Sequence, residues 1–309
     1  MFENLFSKGG LSLDRLRSFM QMAHAGSIAK AAPQDATRQS QISRQIKELE
    51  EFFAVELTQR RGKALSLSPA GERLAGLIRE QLQDLEDFRR EQEKTAKVFS
   101  IASGGSTLEW LVVPHLPEIA SLLGQATIRT EMHRSRSLVE AVAEGRIDFA
   151  VLRHDAIPRA NRENTIKLSP LTFHLCIPRV LLKRGATAAM LRDVELWRAL
   201  PFAAGRDGGQ MDSALREGMT SAGVEFKPRF ECGSLLQVRQ LVSQGACAAV
   251  LPSLGLAGLD ERQVIIAPFA PLAGYGRALA LHWNPRQMRR RDVSKRTLKA
   301  LAQLLRSLP

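Results

Sequence analysis

Cysteine is scarce in this chain of 309 residues, and the three present, Cys176, Cys232 and Cys247, are odd in number, widely spaced and in no C-x-x-C pair. That excludes a disulfide framework and the usual zinc spacing, and it fits a reducing compartment. Long apolar runs are missing as well. No stretch approaches the roughly 18 residues that span a bilayer, and the opening MFENLFSKGG has no basic region leading into an apolar one. The expected location is the cytoplasm, with no membrane partner. Phosphate-loop, dinucleotide-fold, zinc-protease and nucleophile-elbow motifs are all absent, and His133 and His154 stand singly, without ligand spacing. Neither an enzyme nor a bound cofactor or metal is expected. A solute-binding protein for a transporter would require export, for which the opening residues give no signal.

What is present is a globular composition, 44% hydrophobic and 25% charged, with 44 Lys+Arg against 32 Asp+Glu and a formal net charge of +12. Such a length accommodates about two or three domains. Excess positive charge favours polyanionic partners, but it is unevenly distributed. Residues 286–309 hold eight basic residues and one acidic, so net charge alone does not locate a DNA-binding face.

Along the chain, Leu13, Leu16, Phe19, Met20 and Ala23 recur at helical steps, with Gly26 placed to stop the helix and Ser27 to cap a short second one that meets Pro33. After a turn at Pro33–Ala36, a third helix is expected from about Thr37. Ile42, Ile46, Leu49 and Phe53 would form its buried side, and Arg38, Gln39, Ser40, Ser43, Arg44 and Lys47 its other faces. This reads as a helix-turn-helix, and the basic Arg60–Lys63 tip between two short strand segments adds a wing. Ser68-Pro69 caps a helix running to about Lys94, roughly 39 Å long at 1.5 Å per residue, whose apolar stripe of Leu74, Ile78, Leu82, Leu85 and Phe88 calls for pairing with a second copy. From Val98 onward short strands alternate with helices, including one around Leu108–Leu123, which argues for an α/β domain. Two similar halves are indicated by an echo: Ser137-Leu138-Val139 leads through a helix and Gly145 to Phe149–Leu152, and Ser234-Leu235-Leu236 leads through a helix and Gly245 to Ala248–Leu251. Helix N-termini facing each other across such halves would make a cleft.

Residues Leu16–Ala32 (LRSFMQMAHAGSIAKAA), Gln39–Leu57 (QSQISRQIKELEEFFAVEL), Arg60, Gly62 and Leu65–Gly71 (LSLSPAG) resemble the winged helix-turn-helix and linker helix of the LysR-type transcriptional regulators. The resemblance extends over nearly the whole chain from Leu11. It implies an α/β protein with a winged helix-turn-helix domain at 11–68, a dimerisation helix at 69–96 and an effector domain at 98–309. That domain would have the two-lobed architecture of periplasmic binding proteins, with lobe I at about 98–175 and 268–309 and lobe II at about 176–267. It further implies a homodimer or homotetramer acting on double-stranded DNA, with RNA polymerase as a further partner. Asp35 and Thr37 stand where the family usually has apolar residues, and Thr58 where a wing aromatic is usual. The acid is expected to weaken helix packing or repel phosphate, leaving either a shifted turn or weaker DNA binding.

Candidate DNA-binding residues are Arg38, Gln39, Ser40, Ser43, Arg44 and Lys47 on the third helix. Gln39, Ser40 and Arg44 are favoured as base readers, and Arg60, Arg61 and Lys63 on the wing as phosphate contacts. The loop Ser103-Gly104-Gly105-Ser106-Thr107 matches in position the family's hydroxyl-bearing ligand loop. With Arg134, Ser135 and Arg136, Gly205 and Arg206, and Gly233 and Ser234, it points to an anionic effector. Cys232 adjoins this cleft but lacks an evident resolving partner for a redox role. The tail from Arg289-Arg290-Arg291 to Lys299 reads as a solvated basic helix with Leu298, Leu301, Leu304 and Leu305 inward.

Overall fold

The computed structural model describes residues 3–6, 9–61, 64–206, 210–275 and 277–306. The chain divides into two units, one comprising Met1–Thr95 with Glu144–Arg146 and the other Ala96–Ala143 with Ile147–Pro309.

In the first unit, each helix is started by the side chain just before it. Ser12 caps α1 (Leu13–Ala25) by accepting from Arg15 N, and Gly26, at φ 77°, ends it in the left-handed region that favours glycine. Ser27 caps the one-turn α2 (Ile28–Ala31) in the same way. Asp35 caps α3 (Ala36–Phe53), its carboxylate accepting from Arg38 N at 2.8 Å. The expected conflict at Asp35 is therefore resolved locally: the carboxylate lies at the positive end of the helix dipole and satisfies an otherwise unpaired N–H. Strands β1 (Thr58–Arg61) and β2 (Ala64–Leu67) form the antiparallel wing, with Thr58 opposite Leu67. Phe19, Met22, Ile42, Ile46, Leu49 and Leu57 make the core of this unit, joined by Ala75 and Ile78 from α4 (Pro69–Gln92).

The junction of wing and α4 explains the LSLSPAG stretch. Ser68 accepts from Gly71 N at 3.0 Å as an N-cap and donates to Glu56 O at 2.6 Å. A Cβ at Gly71 would lie 2.0 Å from Leu57 O, so only glycine permits this approach. At 24 residues α4 is about 36 Å long. Leu77, Leu85 and Phe88 on it are about 60% exposed, and Leu82 is 37% exposed. Among the described residues no helix is long and apolar enough to cross a membrane.

The second unit holds a five-stranded sheet, a three-stranded sheet and a two-stranded pair. The first has the order β4 (Thr127–Met132), β3 (Val98–Ser103), β5 (Phe149–Arg153), β12 (Arg277–Trp283), β6 (Thr165–Leu171), with β3 parallel to both neighbours and β12 antiparallel to both of its own. Alternation along β5 sends Phe149 and Val151 to one face, against Ile119, Leu298 and Leu301. Ala150 and Leu152 go to the other face, against Leu138 and Val142 of α6 (Ser135–Ala143).

The second lobe holds β10 (Ala249–Pro252), β7 (Phe173–Pro178) and β11 (Val264–Pro268) in antiparallel order, beside the parallel pair β8 (Ala203–Gly205) and β9 (Phe230–Cys232). An isolated bridge between Phe202 and Ala248 ties the pair to the rest. Helices α7 (Val194–Ala199), α8 (Gln210–Ser221) and α9 (Leu235–Ser243) belong to this lobe. The chain leaves the first sheet at Thr172, between β6 and β7, and leaves the second lobe after β11, in the stretch that begins at Phe269. Residues 173–175 belong to β7.

Two expectations are corrected here. The helix expected around 108–123 is broken into a π-helical stretch Leu108–Val112, a 3-10 turn Val113–His115 and α5 (Leu116–Leu122). Pro114 and Pro117 lack the N–H donors that a continuous helix requires there. The arginine run after β12 is not all solvated, since Arg291, just past α10 (Pro285–Arg290), is 3% exposed. Its guanidinium donates to Asp148 Oδ1 and to Val98 O, both at 2.6 Å, and lies 3.9 Å from the Phe99 ring centre. Asp148 also accepts from Gln287 Nε2 and from Ser100 N, both at 2.7 Å, and from Ser100 Oγ at 2.9 Å. A charged group is tolerated at such depth only with this degree of pairing. In α11 (Lys295–Leu304) and just beyond it, Leu298, Leu301 and Leu305 are buried as expected, and Leu304 packs partly buried.

Candidate functional site: a helix-turn-helix surface and an α/β effector domain

Helix α3 separates its residues by face. Ile42, Ile46 and Leu49 are buried, whereas Thr37, Ser40, Gln41, Arg44 and Lys47 are exposed and follow one another at helical spacing. Arg44 has its side chain 74% exposed, with Glu48 as a loose ion-pair partner at 3.8 Å. Glu48 is itself engaged by Arg15, so its charge is already matched and Arg44 is left free to reach outward.

Two of the candidate DNA-binding residues, one of them the favoured reader Gln39, have other work. Arg38 donates to Gln21 Oε1 and Gln41 Oε1, both at 2.8 Å, and to Ser18 Oγ at 3.4 Å, pinning α3 to α1. Gln39 Nε2 donates to Ala32 O at 2.8 Å and so fixes the turn before α3. Ser43 is half-buried. Gln41 and Thr37 take their places on the exposed face; the 3.6-residue period running through Arg44 was the signal for both.

Thr58 likewise has a partner. Glu50 Oε1 accepts from Leu57 N at 2.8 Å and from Thr58 N and Oγ1 at 3.0 Å, holding the base of the wing on α3. Arg60 is exposed on β1. Lys63 and the side chain of Arg61 lie outside the described residues.

The expected effector residues fall into two groups, one in each lobe, all at carboxyl ends of parallel strands. In the first, His133 N donates to Ser103 O at 3.0 Å, which sets the loop after β4 beside the loop after β3. A Cβ on Gly105 would meet Met132 Sδ at 3.2 Å. Ser106 and Thr107 are half-buried, Ser135 is half-buried at the start of α6, and Arg134 is exposed. Ser103 is removed from the set: it is fully buried, and its hydroxyl donates to Val151 O at 2.5 Å as a tie between strands. The side chain of Arg136 lies outside the described residues.

In the second group, Arg206 N donates to Cys232 O at 2.7 Å, joining the loop after β8 to Gly233 and Ser234. Ser234 is the N-cap of α9, accepting from Gln237 N at 3.4 Å, and Gly233 N donates to Gln237 Oε1 at 2.9 Å. Gly205 closes β8 and Arg206 is exposed. Between the lobes, Trp110 packs against Gly255, where an added Cβ would lie 2.7 Å from the indole.

Burial pushes the Cys232 thiol up, Cys247 up to about 11 and Cys176 up to about 12. Thiolate is the reactive form, so these positions behave as apolar side chains. No group of three or more His, Cys, Asp or Glu residues that could hold a metal occurs among the described residues. A cavity of about 590 Å³ lies elsewhere in the second lobe, lined by Phe173, His174, Leu191, Arg192, Trp197 and Phe269 among others. None of the expected effector residues lines it.

Comparison with known proteins agrees with this architecture. A family model described as the bacterial regulatory helix-turn-helix protein, lysR family, matches residues 13–72, and one described as the LysR substrate binding domain matches residues 92–307. The chain is 28% identical over 295 residues to the HTH-type transcriptional regulator BbuR of Bordetella bronchiseptica, covering 92% of this chain and 87% of that one. It is 25% identical over 273 residues to a probable nitrogen assimilation transcriptional activator of Synechococcus elongatus, covering 82% and 84%. Among solved structures, full-length OxyR from Pseudomonas aeruginosa superposes with a TM-score of 0.58 at 18% identity over 96% of this chain and 95% of that one. The LysR family regulator CbnR does so with a TM-score of 0.55 at 18% identity over 94% and 99%. With both of its parts matched in order and along nearly their full length, the chain belongs to the LysR family of DNA-binding transcriptional regulators, its helix-turn-helix followed by an effector-binding domain.

Proposed function

We propose that the protein binds an inverted-repeat promoter site as a cytoplasmic dimer or tetramer and alters transcription when a small anionic molecule enters the cleft of its second unit. The observation that carries the DNA reading is the exposed face of α3, where Thr37, Ser40, Gln41, Arg44 and Lys47 face outward while the opposite face holds the core. Arg44 can pair with a guanine edge and Gln41 with adenine, and Lys47, Arg60, Arg61 and Lys63 serve phosphate. Self-association uses α4, whose exposed Leu77, Leu82, Leu85 and Phe88 need a second copy to cover them. The hydroxyls of Ser106 and Thr107, with Arg134, Ser135, Arg136, Arg206, Gly233 and Ser234, are the residues for the anion. The effector is proposed to act by shifting the population between two arrangements of the oligomer, and so its contact with DNA or RNA polymerase.

Selection of bound duplexes from a randomised pool at near-physiological salt tests the DNA reading. A dyad-symmetric motif is expected; retention without any motif would reduce it to phosphate attraction. Arg44→Ala is expected to lose about 1–3 kcal/mol and to relax one base position, whereas Lys63→Ala weakens all sequences alike and lowers the salt slope. The burial of Ser103 favours a second reading, a regulator without an effector. A thermal-shift screen of small carboxylates and inorganic anions decides between the two, because a ligand of the folded cleft raises stability by mass action.

A further inference from the structure

The cavity in the second lobe has a composition of its own. Phe173, Trp197 and Phe269 supply aromatic walls, Leu191 and Leu272 close the floor, and all five are buried. The Trp197 indole N–H is already committed to Leu191 O at 2.7 Å, and its ring stacks obliquely on Phe269 at 5.2 Å between centres. The indole is therefore held rigidly as wall. At about 590 Å³ the space falls within the range of small-molecule sites, which are mainly apolar with a few polar groups that orient the ligand.

Two such polar groups are present. His174 contributes its ring, whose Nδ1 is buried with no hydrogen-bond partner among the described residues. Burial holds its imidazole below the usual range, so it is neutral at pH 7. Arg192 stands exposed at the mouth and forms no ion pair among the described residues. One cation at the entrance of an otherwise apolar aromatic space selects a ligand with one negative end and a flat apolar body.

The position adds a consequence. Thr172 on one side and Pro268, Phe269, Ala270, Leu272 and Ala273 on the other line the cavity, beside the two places where the chain passes between lobes. A ligand seated there touches both crossings, so it stabilises whichever lobe arrangement leaves the cavity open.

We propose that this cavity is a second ligand site, separate from the cleft residues, for a small monocarboxylic acid with a planar apolar body, the body lying against Phe173, Trp197 and Phe269 and the carboxylate meeting Arg192. The site does not depend on the anion reading of the cleft.

The test uses the full chain with 2-naphthoate as probe, followed by calorimetry and tryptophan fluorescence. The wild type is expected to bind the probe and to show a tryptophan signal change that Trp197→Phe removes while heat of binding persists. Arg192→Ala, at an exposed position, is expected to weaken 2-naphthoate by tenfold or more and to leave binding of the uncharged 2-naphthamide unchanged. Ser106→Ala with Thr107→Ala is expected to change neither. Failure of the wild type to bind 2-naphthoate overturns the proposal. So does unaltered affinity in Arg192→Ala, or loss of binding in the Ser106/Thr107 variant, which would put the probe in the cleft. Recovery of a DNA motif by selection is independent of all these outcomes.

Discussion

The two units use polar side chains over very different distances along the chain. In the first, Ser12, Ser27, Asp35 and Ser68 each accept from an N–H three residues ahead, and the ties between helices are made at half-exposed positions such as Arg38 and Glu50. In the second, Asp148 and Arg291, 143 positions apart, meet at 5% and 1% side-chain exposure and tie the stretch just past α10 to β3 and to the start of β5. Local caps compete with water and each contributes modestly. A buried pair has already lost its water, so removing either member leaves the other charge stranded. The second unit uses such caps too, at Ser234 and Ser294, and adds to them one concentrated buried contact.

Breaking that contact is expected to give the largest effect. Arg291→Met should cost about 3–5 kcal/mol in the second unit, and Asp148→Leu with Arg291→Met should recover much of the loss. Calorimetric unfolding of the single and double variants checks this; equal losses in both would show that the pair is not the source. Gly71→Ala is the strongest challenge to the idea that the first unit yields only in small steps. Its Cβ would meet a backbone oxygen that has little room to move, and about 1–3 kcal/mol of overpacking is expected, read as a lower midpoint in urea.

A smaller change is expected from Asp35→Ala, about 1 kcal/mol from the lost cap, with no gain in DNA affinity. A clear gain on the selected duplex would restore the reading in which this carboxylate repels phosphate. The smallest effect concerns pH. Burial holds His174 and His282 below the usual 6.5, so the unfolded chain binds more protons than the folded one as pH falls through 6.5, and stability drops over that window. In His282→Asn the thermal midpoint should depend less on pH between 7 and 5, since the amide can still donate to Asn164 O in place of Nδ1. An unchanged slope would remove His282 from the account.

The same contrast explains what could be read in advance. The helix-turn-helix, the wing and the start of α4 were legible because caps, glycine stops and apolar spacing all act within a few residues. The internal echo gave α6 with β5 and α9 with β10 for the same reason. Strands β6, β11 and β12 were missed. LALHW in β12 is a short buried run with no alternation, and only its pairing with β5 and β6 reveals it as a strand. Arg291 was taken for a solvated residue because a run of arginines ordinarily is one. Among the candidate DNA-binding residues, Arg38 and Gln39 were chosen by chemical type, and their hydrogen bonds to α1 and to Ala32 O could not be seen from α3 alone.

The sequence by itself carried the family resemblance in its motifs, and it determined the order of the two parts and the face of α3 turned away from the core, because those follow from local periodicity and capping. The tertiary structure alone decided which polar groups remain free. Ser103, Arg38, Gln39 and Arg291 are engaged, Ser40, Gln41 and Arg44 are exposed, and a cavity opens beside the two crossings. Whether a hydrogen-bonding group is satisfied depends on neighbours that are distant in sequence and meet only when the chain folds.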